Sequence, residues 1–242
     1  MSYSKDYLPQ FRESGMDGLV GIKGYLNYFQ DMATIFFHQI NKGNDVIPEQ
    51  YGISWIYTRY KLTVNKKADF GEPLHMETWV SKQDVRVRQD LVISRNGEIY
   101  AQGRLESCLI RLDKKILCKP NEIELPPDLA EDRQADIGPF EKLVFKTEEM
   151  EPAYTYTVLF TDLDKSKHMN NLHYADLFLN AFTPEFYETH IIKSFELQFD
   201  AQCFYGDRLT VMTKEIPGFV YLTAVNQEGK IISRCRIGVK KI

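Results

Sequence analysis

Between positions 160 and 174 the chain reads Phe-Thr-Asp-Leu-Asp-Lys-Ser-Lys-His-Met-Asn-Asn-Leu-His-Tyr. Two carboxylates, a serine hydroxyl, two imidazoles and two adjacent amides stand here directly ahead of an apolar stripe with helical spacing. Asn170 or Asn171 suits the N-cap of that helix, which leaves the first helical N–H groups unpaired and pointing outward. Such a terminus favours negative charge, including the oxyanion of a tetrahedral intermediate. Asp164 and His168 lie on the entering loop, where they can orient water or a polar substrate group. The same residue types also serve as ordinary caps and turns, so the segment by itself leaves a structural and a chemical reading open.

The thiols and the other imidazoles add little chemistry. Cys108, Cys118, Cys203 and Cys235 form no C-x-x-C pair, and His38, His75, His168, His173 and His190 form no H-x-x-x-H pair. Neither pattern matches a common zinc spacing, so no metal and no cofactor are expected. Two-residue alternation puts Cys203 on one face with Leu197, Phe199 and Ala201, which favours a core thiol over a nucleophile.

The elements that must position these groups read as two similar halves. In the first, Leu26, Phe29, Ala33, Phe36, Phe37 and Ile40 recur at helical spacing, and Gly43 stops the pattern. In the second, Tyr174, Leu177, Phe178 and Ala181 repeat the stripe, and Pro184 is expected to end it. Alternating strands follow each helix, through Val85, Val87, Leu91 and Ile93 in one half. Phe195 to Ala201 and Ile231 to Val239 do the same in the other. Trp55, Tyr57 and Tyr60 are expected on a strand packing against the first helix. Three stretches align in the same order: Asn27 with Asn171, Gly71-Glu72 with Gly206-Asp207, and 96–104 with 228–236. Between the halves, Pro126-Pro127 and an acidic run from Asp128 to Asp132 read as a connection. We therefore expect an N-terminal unit at 1–125, a linker at 126–152 and a C-terminal unit at 153–242. A long helix followed by antiparallel strands, used twice, is the order of a tandem α+β hotdog, in which each sheet wraps a central helix. With the spacing of 144 seen for the two asparagines, Asp164 and His168 fall on Val20 and Gly24, so one chemical site per chain is expected.

Composition narrows the class. The 34 acidic and 30 basic side chains give a net charge of −4, which disfavours a partner built on nucleic acid backbone. No apolar run approaches the length of a membrane-spanning helix, and the opening MSYSKDYLPQFRES lacks the apolar core of a secretion signal. A cytoplasmic enzyme or binding module is the expectation.

The block Asp-Leu-Asp-x-x-x-His-Met-Asn-Asn-x-x-Tyr resembles the signature of the acyl-acyl carrier protein (acyl-ACP) thioesterases, which end fatty-acid synthesis. Gly24-Tyr-Leu-Asn-Tyr-Phe-Gln-Asp-Met-Ala33 is also similar to that family's first-half helix. The resemblance implies that Asp164 and His168 are the catalytic pair. Two positions depart from the family: Ser166 stands where it has Asn, and Gln202 where it has Glu. Ser166 can still hydrogen-bond with a shorter reach, whereas Gln202 can hold water but cannot take a proton. Any general base must then be Asp164 or His168. The resemblance further implies water attack on a fatty acyl thioester, with an oxyanion held near Asn170 and Asn171. It also implies an acyl pocket shaped by the first half, for which Phe29, Met32, Ala33 and Phe36 are candidates. The implied partner is acyl carrier protein with its phosphopantetheine-linked acyl chain, whose phosphate or acidic surface Lys165 and Lys167 could meet. A monomer or homodimer is expected. The alternatives are a hotdog thioesterase or hydratase acting on acyl-CoA, or a non-catalytic binder of acyl thioesters.

Overall fold

The computed structural model describes residues 1–242, which divide into two units, Met1–Gly138 and Pro139–Ile242. The first unit holds strand β1 (Ser2–Tyr7), helix α1 (Ile22–Gln39), the short helix α2 (Ile47–Tyr51) and strands β2 (Ile53–Val64) and β3 (Leu74–Gln83). Strands β4 (Arg86–Arg95), β5 (Glu98–Arg111) and β6 (Ile116–Cys118) complete it. Its strands pair antiparallel in the order β1-β3-β4-β5-β2, with β6 alongside β5. The second unit holds β7 (Glu151–Thr157), α3 (His173–Leu179), α4 (Pro184–Thr189), β8 (His190–Phe199), β9 (Arg208–Ile216), β10 (Phe219–Asn226) and β11 (Ile231–Lys241). Its order, β7-β9-β10-β11-β8, repeats that of the first unit strand for strand.

Helix α1 is held by packing. Tyr25, Leu26, Phe29, Met32, Ala33, Phe36 and Phe37 are all buried, and each large apolar side chain withdrawn from water contributes roughly 1.5–3 kcal/mol. The Phe29 ring lies directly on the backbone of β5 at Gly103, where a methyl group would sit 1.9 Å from the ring. Only glycine lets helix and strand approach this closely. Trp55 stacks on Phe37 with ring centroids 4.6 Å apart, the Tyr57 hydroxyl meets Thr34 at 3.1 Å, and Tyr60 donates to Gln30 at 2.9 Å. All three aromatics of β2 thus contact α1, as their spacing predicts. No helix is long and apolar enough to cross a membrane.

Two elements differ from expectation. Pro184 begins α4 instead of ending the second helix. It follows Thr183, whose hydroxyl caps the Phe186 N–H, and proline is well suited to the first helical turn. Helix α3 consequently stops at Leu179 and excludes Ala181. The segment 126–152, expected as a linker, is mostly exposed but is anchored by buried side chains. Leu129 joins the buried cluster of Trp55, Val80 and Leu109, while Ala135 and Ile137 cover Trp79. Arg104, 4% exposed, forms a bidentate pair with the fully buried Asp90 at 2.6 and 2.7 Å. Asp90 also accepts the Ala135 N–H, and Arg104 donates to the Gly138 carbonyl. A proline-rich sequence signals the lack of ladder bonds but not this side-chain tethering, so residues 126–138 belong to the first unit and β7 starts at Glu151.

Candidate active site

The polar segment of the second unit folds as a tight hairpin. The Asp164 N–H donates to the His168 carbonyl at 2.9 Å, and the Lys167 N–H donates back to the Asp164 carbonyl at 3.0 Å. Lys167 takes φ = 63°, so the loop is a turn closed by a left-handed residue, a common three-residue hairpin geometry. Asp164 Oδ1 accepts the Ser166 N–H at 2.7 Å, and Leu163 pairs with Met169 just outside the loop. Asp164, Ser166 and His168 are therefore brought onto one hairpin. Asp164 and His168 are half-buried, while Ser166, Lys165 and Lys167 reach solvent.

Two further attachments hold the hairpin. The buried carboxylate of Asp162 accepts the Tyr156 hydroxyl at 2.8 Å and the Leu159 N–H at 2.7 Å, and its carbonyl accepts the Asn170 N–H at 2.8 Å. Burial, followed by that hydrogen bond, pushes the Tyr156 phenol up to about 12. On the other side the Met169 N–H donates to the Cys203 carbonyl at 3.0 Å, and His168 pairs with Phe204. Phe204 in turn closes a turn with Asp207, whose Oδ2 accepts its N–H at 2.8 Å.

The start of α3 is narrower than its sequence suggests. The helix proper has seven residues and no side-chain cap at Leu172. Asn170 instead serves the preceding turn, with its Oδ1 on the Leu172 N–H and its carbonyl on the His173 N–H, both at 2.9 Å. Those two donors are already used, so a new anion could take only the Asn171 N–H from this turn without displacing Asn170. Leu172, and neither asparagine, is the N-cap, which corrects the expectation: Asn170 shapes the turn ahead of the helix, and the Asn171 N–H is the donor it leaves over.

Cys203 is fully buried, with the Tyr174 hydroxyl 3.0 Å and Met169 Sδ 3.6 Å from its sulfur. Burial pushes the thiol up to about 11, which removes the thiolate that nucleophilic attack needs. It is a core residue, as its alternation predicts. Gln202 is exposed in the stretch between β8 and β9. Of the first-unit residues, Phe36 belongs to the Trp55 cluster and Phe29 covers Gly103, while Met32 and Ala33 are also buried.

The first unit contains the same hairpin without the chemistry. Gly15 donates to Leu19 and Gly18 donates to Gly15, with Gly18 left-handed at φ = 76°. Tyr7 donates to Glu13 at 2.8 Å, and Glu13 accepts the Gln10 N–H at 2.7 Å, as Tyr156, Asp162 and Leu159 do. These partners are 149 residues apart in sequence. The counterparts of Asp164 and His168 are therefore Gly15 and Leu19, which corrects the expected Val20 and Gly24, and Asn27 matches Asp176 and not Asn171. The helix entry is five residues further displaced than an Asn-to-Asn match suggests. Neither glycine nor leucine can move a proton, so the polar set occurs once.

Two supporting residues carry a signal in the sequence. A tyrosine six positions before an acid occurs in both halves, at Tyr7/Glu13 and Tyr156/Asp162. The aromatic at Phe204 had no periodic signal, because it lies in an irregular turn.

Two hotdog units in tandem, with a polar hairpin in the second alone, define the class of this protein. Family models described as the acyl-ACP thioesterase N-terminal and C-terminal domains match residues 1–115 and 145–240. The chain belongs to the acyl-ACP thioesterase family. A palmitoyl-acyl carrier protein thioesterase of Cuphea hookeriana is 24% identical over 91% of this chain and 58% of its own length. Oleoyl-acyl carrier protein thioesterase 2 of Arabidopsis thaliana is 20% identical over 97% of this chain and 69% of its own. The chain thus spans little more than half the length of the first of these relatives. An acyl-ACP thioesterase structure from Bacteroides thetaiotaomicron superposes with a TM-score of 0.89 at 16% identity, covering 99% of this chain and 98% of that one. The 12:0-ACP thioesterase of Umbellularia californica gives 0.85 at 20% identity, covering 100% and 98%. At these identities the superpositions establish the double-hotdog fold.

Proposed function

We propose that this protein hydrolyses the fatty acyl thioester of acyl carrier protein, releasing free fatty acid and the carrier's thiol and so ending chain growth. The observation that carries the reading is the Asp164–Ser166–His168 hairpin, present in one unit and replaced by Gly15 and Leu19 in the other. In this scheme water adds to the thioester carbonyl, forming a C–O bond, and the developing oxyanion meets the Asn171 N–H. Collapse breaks the C–S bond. His168 takes the proton from water and returns it to the departing thiolate, while Asp164 orients the attacking water. Ser166 and Gln202 hold water in place. Met32 and Ala33, with Phe29 and Phe36, bound the acyl pocket, and the exposed Lys165 and Lys167 face the phosphopantetheine arm or its carrier. Four buried free cysteines fit a reducing, cytoplasmic setting, and two hotdog units in one chain fit a monomer or homodimer.

Release of thiol from acyl-ACP and acyl-CoA across a range of chain lengths tests the proposal. Faster turnover of acyl-ACP supports it. Turnover of CoA esters alone would replace the carrier in this reading. The exposed Gln202, an amide where the family carries an acid, favours a second reading, a non-catalytic acyl-thioester binder, and saturable binding without any thiol release would establish that instead.

A further inference from the structure

A hydrolytic histidine needs a fixed ring orientation, and a hydrogen-bonded carboxylate commonly supplies it. In this hairpin Asp164 Oδ1 accepts the Ser166 N–H, and the group lying against the His168 imidazole is the Phe204 ring. The two centroids are 5.0 Å apart with planes at 75°, an edge-to-face contact. Phe204 is 50% exposed, so burying its own apolar surface does not account for its place. Its backbone is nonetheless fixed twice, by the bridge to His168 and by the Asp207 turn. A ring carried on so well anchored a backbone can restrict a neighbour's rotamers without being part of the core. The first unit shows the contrast. There the equivalent bridge joins Leu19 to Asp69, and both the imidazole and the aromatic are absent together.

We infer that Phe204 is the positioning residue of His168, holding the imidazole for proton transfer by edge-to-face contact. This rests on the proposed role of His168 in thioester hydrolysis. The aromatic wall restricts rotation of the ring, as a carboxylate partner does elsewhere, but fixes no tautomer and leaves both ring nitrogens for water and the leaving group.

The test compares Phe204→Leu, Phe204→Met and Phe204→Tyr by steady-state acyl-ACP hydrolysis and by NMR of the histidine ring protons. The His168 signals are assigned by their loss in His168→Ala. Removing the aromatic face should lower kcat by roughly 3–10-fold, the worth of one aromatic pair, with KM almost unchanged. Phe204→Tyr should restore kcat. The His168 ring signals should move in the Leu and Met variants, because the ring current is lost, and stay in place in Phe204→Tyr. Wild-type kcat in the Leu and Met variants overturns the inference whatever the signals do, as do unmoved His168 signals and a rise in KM at constant kcat, which would make Phe204 a substrate contact. The NMR arm needs no substrate. Full hydrolysis by His168→Ala would defeat the proposed role of His168, and absence of thiol release by the wild-type chain would defeat the proposed function, each separately from the ring contact. Using two aliphatic variants guards against one that fails to fold.

Discussion

The Tyr156 hydroxyl donates to Asp162 Oδ2 at 2.8 Å, and in the first unit Tyr7 donates to Glu13 at the same distance. An acid that performs one architectural task in both units, one of them without chemistry, is a peg for the hairpin and not a reactant. Asp162→Ala should remove the acceptor of the half-buried Tyr156 hydroxyl and of the Leu159 N–H, each net hydrogen bond to a charged group being worth about 1.5–3 kcal/mol at most and less where water replaces it. Thermal melting should show a clear loss, with activity falling because the hairpin loosens. Glu13→Ala should melt earlier too, yet folded enzyme should keep its kcat. Equal loss of kcat in both would show that the two hairpins are not chemically distinct.

His168→Ala and Asp164→Asn should each slow hydrolysis by about 10²–10⁴-fold, the range for general acid–base groups. Both side chains are only half-buried, so melting temperatures should stay near wild type. Near-normal turnover of both variants would place the chemistry elsewhere.

Gln202 is exposed and cannot accept a proton. Gln202→Ala should therefore cost less activity than His168→Ala. Gln202→Glu adds a carboxylate where the family carries one, without burying it, and should preserve or raise turnover at neutral pH. A Gln202→Glu enzyme as impaired as His168→Ala would mean that this site is organised differently from the family's.

Burial holds the Cys203 thiol near 11, above the usual thiol range, so the thiolate fraction grows only as pH rises towards that value. Native protein should resist iodoacetamide at pH 8 and react fully after denaturation, with alkylation followed by mass spectrometry. Cys203→Ala should retain most activity and lose some stability through the vacated contacts with Tyr174 and Met169. Abolished turnover in a stably folded Cys203→Ala would reinstate the thiol as a reactant.

Met32 and Ala33 separate pocket from core. A bulkier apolar residue at either position should shorten the preferred acyl chain, by roughly 10–200-fold in relative specificity per methylene excluded. Overpacking, at about 1–3 kcal/mol, is the competing effect. A lower melting temperature with an unchanged chain-length profile would assign both residues to the core and move the acyl pocket elsewhere.

Much of this was legible along the chain, because local periodicity reports which face of an element is buried. The stripe from Leu26 to Phe37 specified α1, alternation specified β4, β8 and β11, and the composition of the 160–174 block marked the polar loop that the tertiary structure folds as a hairpin. Alternation also placed Cys203 in the core. Other features depend on contacts between distant residues, which no local pattern encodes. The sequence around 126–138 shows prolines and acids, but only the Asp90–Arg104 pair and Trp79 make it part of the first unit. Pro184 reads equally as a stop or a start until Thr183 is seen capping α4. The true register of the repeat, Gly15 on Asp164, became visible through paired hydrogen bonds, since insertions shift residue counts while the hairpin geometry stays constant. Asn170 and Asn171 look interchangeable in sequence, and only the turn shows that Asn170 accepts the Leu172 N–H and that neither is the N-cap. The Phe204 ring on His168 is likewise a tertiary fact: 36 positions separate them, and a backbone bridge brings them together.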